Sequence, residues 1–104
     1  MTITQTPEMP YYAVIFTSTL SKDTEGYEDM ANKMVELAQQ QPGFLGAESA
    51  REALGITVSY WQSLEAIASW KQQSEHLVAQ KLGRERWYQH YSIRISKVER
   101  QYFF

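Results

Sequence analysis

Ten consecutive residues, Tyr11 to Leu20 (YYAVIFTSTL), constrain the fold more than any others. β-Branched and aromatic side chains dominate the run, which is the composition of a strand. In an extended chain Tyr12, Val14 and Phe16 project to one side and Tyr11, Ala13 and Ile15 to the other. Both sides are apolar, so both need cover. A chain of 104 residues fits one domain and leaves little room for two. A second copy packed against the strand's far side is the simplest source of the missing cover.

The segments that follow alternate in period. Residues 1–10 hold two prolines and few apolar anchors and read as a flexible arm, with a single domain over 11–104. SKDTEGYEDMANKMVELAQQQPG reads as a helix, with Ser21, Asp23 and Thr24 competing as N-cap. Tyr27, Met30, Met34, Leu37 and Ala38 form its apolar stripe, Glu28, Asp29, Lys33, Glu36 and Gln40 its wet side, and Pro42-Gly43 its stop. Phe44 to Leu54 is a weaker strand, Gly55 a turn, and ITVSYWQ (Ile56 to Gln62) a strong strand, so the pair predicts a hairpin. Ser63 caps LEAIASWKQQ, whose inner stripe is Leu64, Ile67, Ala68 and the stem of Lys71. Ser74 caps a second short helix, EHLVAQKL, ending near Gly83. RERWYQHY is either a helical turn or an irregular link, and Ser92 to Phe104 closes as a strand.

The order βαββαβ predicts an α+β, ferredoxin-like domain: a four-stranded antiparallel sheet with both helices on one face. The other face would carry Tyr11 or Tyr12, Ile15 or Phe16, and Tyr60 or Trp61. Two such sheets facing each other across a two-fold axis would bury both, giving a homodimer through the sheet faces. Tyr102, Phe103 and Phe104 have no evident task in one copy and are placed to reach the other.

Composition excludes several classes. The chain has no cysteine, which removes disulfides, thiolate nucleophiles and Cys-based metal sites. A net charge of −2 gives nucleic acid no electrostatic invitation. RNA-recognition domains share the βαββαβ order, but ITVSYWQ lacks the basic and glycine residues that accompany their exposed aromatics. The start, MTITQTPEMP, has neither a basic n-region nor a long apolar h-region. No apolar run approaches the roughly 18 residues of a membrane span. The expectation is a cytoplasmic protein with no membrane or nucleic-acid partner. No phosphate loop, nucleophile elbow or His-carboxylate run at metal spacing occurs, so no metal site is expected from the two histidines.

PGFLGAESAR, ITVSYWQSLEAIASWKQQSEH and AQKLGRERWYQHY resemble the antibiotic biosynthesis monooxygenase family, a branch of the dimeric α/β-barrel superfamily. The resemblance runs over nearly everything after residue 10, and the Pro42-Gly43-Phe44 turn and YWQSLEAIASW carry most of it. It implies a dimeric α/β barrel that oxidises an aromatic or quinol-type compound with O2, using neither metal nor flavin. An alternative is a non-catalytic, ligand-binding or stress-related dimer of the same fold. Haem-degrading members use an Asn on the first strand, a Trp on the second helical segment and a His about ten residues later. Here Trp70 stands at the Trp place, but Gln80 stands where that His would be and Thr17 and Ser18 where the Asn would be. Haem degradation by that arrangement is therefore the lesser reading. His76 matches a histidine common in the wider family.

These residues have a chemical use and a plainer one. On a continuous helix His76 and Gln80 share a face, and a neutral imidazole held by an amide can remove a phenol proton as general base. Otherwise His76 packs at a helix break. Trp70 either walls a flat aromatic ligand by stacking or packs its helix onto the sheet. Arg84, Trp87, Tyr88 and Tyr91 would be neighbours on a helix, with Arg84 over Trp87 and the group either rimming a pocket or lidding the sheet edge. Tyr60 and Trp61 must point to opposite faces, one into the core and one toward the space between sheets, and the sequence leaves open which. The candidate set is thus His76 and Trp70 for catalysis, and Tyr60, Trp61, Arg84, Trp87 and Tyr91 for binding a small aromatic ligand. Arg51 and Arg94 are expected to face outward.

Overall fold

The computed structural model describes residues 3–6, 8–75 and 86–104. His76, Arg84, Gln80 and most of the expected EHLVAQKL helix lie outside the described residues. The elements run β1 (Tyr11–Leu20), α1 (Tyr27–Gln39), β2 (Phe44–Arg51), β3 (Gly55–Trp61), α2 (Leu64–Glu75) and β4 (Tyr88–Val98). The sheet has four strands in the order β2-β3-β1-β4, and every pairing is antiparallel. This is the ferredoxin-like α+β fold that the alternation of periods predicts. β1 lies in the interior of the sheet, which suits a strand that is apolar on both faces.

Register assigns the faces. Tyr12 pairs with Trp61, Val14 with Ser59 and Ile95, and Phe16 with Thr57 and Ile93. These side chains share one side of the sheet. Trp61 meets Trp70 of α2 there, and Tyr27 of α1 meets Tyr88, so this is the helix side. Tyr11, Ala13 and Ile15 of β1, with Tyr60, Val58, Val98 and Arg94 across from them, take the open side. The N-terminal segment reaches this open side. The backbone N–H of Thr4 donates to Glu48 at 2.9 Å, and the Thr6 hydroxyl bonds both Tyr11 Oη at 2.9 Å and Gln101 at 2.7 Å.

The helices differ from expectation at their ends and on one face. None of Ser21, Asp23 or Thr24 caps α1; its N-cap is Gly26, at φ 82°, a left-handed conformation that a side chain would strain. The expected stripe of α1 does face inward, with Ala38 buried and Tyr27, Met30, Met34 and Leu37 half-buried. In α2 the Ser63 cap forms, accepting from the Ala66 N–H at 3.1 Å. Its inner stripe, however, is Ile67, Trp70 and Ser74, while Leu64, Ala68 and Lys71 are exposed. Trp70 is larger than any of the residues expected inside, and the helix rotates to cover it. α2 continues through Ser74, whose hydroxyl donates to the Lys71 carbonyl at 3.0 Å; the EHLVAQKL helix it was expected to cap lies outside the described residues. Gly43, at φ 87°, passes so close to α2 that a Cβ would lie 2.7 Å from that of Ala66.

β4 begins four residues before the expected Ser92 and ends at Val98. Tyr88 and Tyr91 therefore lie on a strand and not on a helical turn. Two bulges interrupt the ladders. His90 pairs with Thr19 and Tyr88 with Leu20, so Gln89 has no partner. Phe44 pairs with Trp61 and Gly46 with Tyr60, so Leu45 has none. Each extra residue reverses the side-chain alternation beyond it.

Candidate functional site

Two aromatic groups form on the helix side. Trp61 is 0% exposed. Phe44 meets it edge-on at 5.2 Å, Trp70 stacks on it at 6.0 Å, and its indole N–H donates to Ser59 at 2.9 Å. Trp61 therefore builds the core and has no free face for a ligand. Trp70 closes the core over it and remains half-exposed.

The second group lies about six residues along β1, roughly 20 Å away. Phe16 stacks on Tyr91 at 5.6 Å and meets Tyr88 edge-on at 5.3 Å. Tyr27 meets both Trp87 and Tyr88 edge-on at 5.8 Å. The Gln89 bulge makes this possible, because it turns Tyr88 to the same side as Tyr91. Trp87 is fixed by backbone: its indole N–H donates to the Glu25 carbonyl at 3.0 Å, and its carbonyl accepts the Ser21 N–H at 2.7 Å. Arg86 beside it donates to Asp23 at 2.8 Å and holds that carboxyl below the usual range. The loop before α1 and the start of β4 are thereby tied together. Burial, followed by the Tyr27 hydrogen bond, pushes the Tyr88 phenol well up, and the Arg51 charge pulls it the other way.

A pocket of about 440 Å³ opens beside this group, lined by Leu20, Thr24, Gly26, Tyr27, Glu28, Asp29 and Arg51. It is a wide, open depression, with Thr24, Gly26, Glu28, Asp29 and Arg51 of its lining exposed. The Leu45 bulge shifts the alternation of β2 and puts Arg51 on the helix side, where it is exposed, as expected. Its guanidinium crosses the place a Cβ would occupy at Gly55, bonds the hydroxyl and carbonyl of Ser18, and sits 5.8 Å from the Tyr27 ring centre. Ser18 is 2% exposed, so one edge of the guanidinium is anchored in protein. From the pocket end, a strip of Tyr91, Ile93 and Ile95 runs along β4, respectively 43%, 52% and 53% exposed on the helix side.

The structure thus brings Trp87 and Tyr91 together with Tyr88, which the sequence grouped with them, and with Tyr27, Phe16 and Arg51, which it did not. Tyr60 lies on the opposite face. It meets Tyr11 edge-on at 5.9 Å and donates to Glu48 at 2.6 Å. Burial, with the adjacent Glu48 carboxylate, raises its phenol to about 12. Among the described residues, no three His, Asp or Glu side chains cluster closely enough to hold a metal ion. Among them, too, no helix is long and apolar enough to cross a membrane.

Known proteins share both sequence and fold. The pattern of the family described as "Antibiotic biosynthesis monooxygenase" matches residues 10–82. The uncharacterized protein YqjZ of Bacillus subtilis (strain 168) is 53% identical over 104 residues, spanning 98% of this chain and 91% of that one. SnoaB, a cofactor-independent oxygenase from Streptomyces nogalater, superposes with a TM-score of 0.70 at 13% identity, over 91% of this chain and 97% of that one. A conserved protein from Methanosarcina mazei Go1 superposes with a TM-score of 0.73 at 11% identity, over 85% and 92%. At such identities the superpositions speak to the fold alone, whereas the sequence pattern covers most of the chain: the chain belongs to the antibiotic biosynthesis monooxygenase family.

Proposed function

We propose that the protein is a small homodimeric monooxygenase that oxidises an aromatic or quinol-type compound with O2, drawing on neither a metal nor a flavin. The observation that carries this reading is the half-exposed strip of Tyr91, Ile93 and Ile95, which leads into the aromatic wall of Tyr27, Tyr88 and Phe16 beside the pocket. A flat apolar substrate gains burial and ring contacts on such a floor. The cofactor-independent chemistry named for SnoaB is consistent with it.

The reaction balances without an external reductant. In an anthrone-like substrate a ring methylene becomes a carbonyl, and in a hydroquinone a ring C–H becomes C–OH as the ring is oxidised to the hydroxyquinone; in both, one atom of O2 enters the product and the other leaves as water with two hydrogens from the substrate. All four electrons come from the substrate. The protein's tasks are to orient the ring, exclude water and remove the first phenolic proton. We assign that proton to His76 and part of the ring's positioning to Tyr91, with the buried Trp87 supporting the aromatic wall behind it and Arg84 at the rim; Trp70, in the group at the other end of β1, takes no part in holding this ring. In the dimer, a second copy covers Ile15, Ile56, Val58 and Val98 on the open side, where Ile56 is exposed.

Oxygen uptake with a panel of hydroquinones and anthrone-like phenols tests the reading. Uptake by the purified, chelator-treated protein is the expected result. No uptake with any member, together with saturable binding of the same compounds, would favour the non-catalytic ligand-binding dimer. A haem titration is expected to leave the Soret band unshifted.

A further inference from the structure

Arg51 has a role that oxidation of a neutral ring does not require. Among the described residues it is the only cation lining the pocket, and it has no carboxylate within ion-pairing distance. Its two hydrogen bonds both go to Ser18, a buried residue, so they fix the side chain from beneath. A guanidinium carries five N–H donors. Donors not turned toward Ser18 remain for another acceptor, and the Tyr27 ring 5.8 Å away holds the plane of the group. Gly55 is what makes the pose possible, since any side chain there would meet the guanidinium.

We infer that this pocket binds a small aromatic monoanion, its carboxylate on Arg51 and its ring against Tyr27 and Leu20. The carboxylate matches the planar, forked donor set of arginine. Leu20 and Tyr27 supply apolar wall for the ring. Glu28 and Asp29, exposed on the first turn of α1, also line the pocket. They make a dianion or a phosphorylated ligand a poor fit and confine the charge to the atoms that Arg51 reaches. The inference deepens the proposed function by naming the substrate class of the same site, and it rests on that reading only in taking the site as one that binds a ring.

The test is binding, which needs no oxygen chemistry. 2-Hydroxybenzoate is titrated into the intact protein, following the ring signals of Trp87 and Tyr27 by NMR. Saturable shifts are expected, with 2-hydroxybenzamide, its neutral counterpart, binding at least about tenfold more weakly. Arg51→Gln is expected to cost about tenfold or more, and Arg51→Lys less. Gly55→Ala keeps the charge but displaces the guanidinium, and it is expected to weaken binding as Arg51→Gln does. It also serves as an independent variant should Arg51→Gln fail to fold. Absence of binding overturns the inference, and so does equal affinity for the amide. An affinity unchanged by both Gly55→Ala and the Arg51 substitutions does so as well. Binding as described without oxygen uptake would overturn the oxygenase reading and leave this one standing.

Discussion

Tyr88 and Tyr91 stand three residues apart on one strand, yet their rings lie 5.8 Å apart on the same face of the sheet. Residues at that spacing in a regular strand point to opposite faces. The unpaired Gln89 between them restores the match, and with it the contact of Tyr88 with Phe16 and Tyr27. Deleting Gln89 is therefore expected to turn Tyr88 to the open side and to cost about 2–3 kcal/mol, the size of a lost buried aromatic contact with its packing. Urea unfolding checks the cost, and unchanged stability would show that the bulge does not aim Tyr88.

Trp61 and Tyr91 were equivalent candidates in the sequence, but their surroundings separate them. Trp61→Ala is expected to destabilise the domain by about 3–5 kcal/mol, enough to threaten folding. Trp61→Phe, which keeps a ring between Phe44 and Trp70, is expected to fold with a cost of about 1–3 kcal/mol and no change in ligand affinity. Tyr91→Ala is expected to behave oppositely, with a small stability cost and a clear loss of affinity. Denaturation and a binding titration on the same samples check both.

Tyr60 supplies a pH dependence of stability. Its phenol ionises at about 12 in the folded protein, against 10.0 ordinarily, so folding favours the neutral form. This contribution is fully present below pH 10 and is lost as the pH rises from 10 through 12. Tyr60→Phe removes the ionisable group and is expected to flatten the alkaline fall in stability over that interval. Tyrosinate absorbance is expected to show one fewer late-titrating phenol in the variant.

His76 is the residue on which the proposed proton transfer depends. If it removes the phenolic proton, His76→Ala is expected to lower kcat by about two powers of ten or more, with little effect on KM. An unchanged kcat would end that role.

The element order, the stripe of α1 and the Ser63 cap were legible because each rests on a local pattern. The site was less so, because it depends on breaks in those periods. Counting alternation from Phe44 puts Arg51 on the opposite face, and counting from Tyr91 puts Tyr88 there; the bulges at Leu45 and Gln89 reverse both. No residue pattern announces either bulge. Arg51 also needs the gap at Gly55, which in sequence reads only as a turn. The faces of Tyr60 and Trp61 depended on which ring α2 covers, a tertiary fact that strand periodicity does not contain.

The most direct measurement is mass spectrometry of the product formed from an anthrone-like phenol under isotopically heavy dioxygen, with metal- and flavin-free protein. The expected result is a product carrying a single heavy oxygen, formed with one O2 consumed per turnover. A product whose new oxygen comes from water, or the absence of any product while the ligand saturates the site, would contradict a monooxygenase that works from its own side chains.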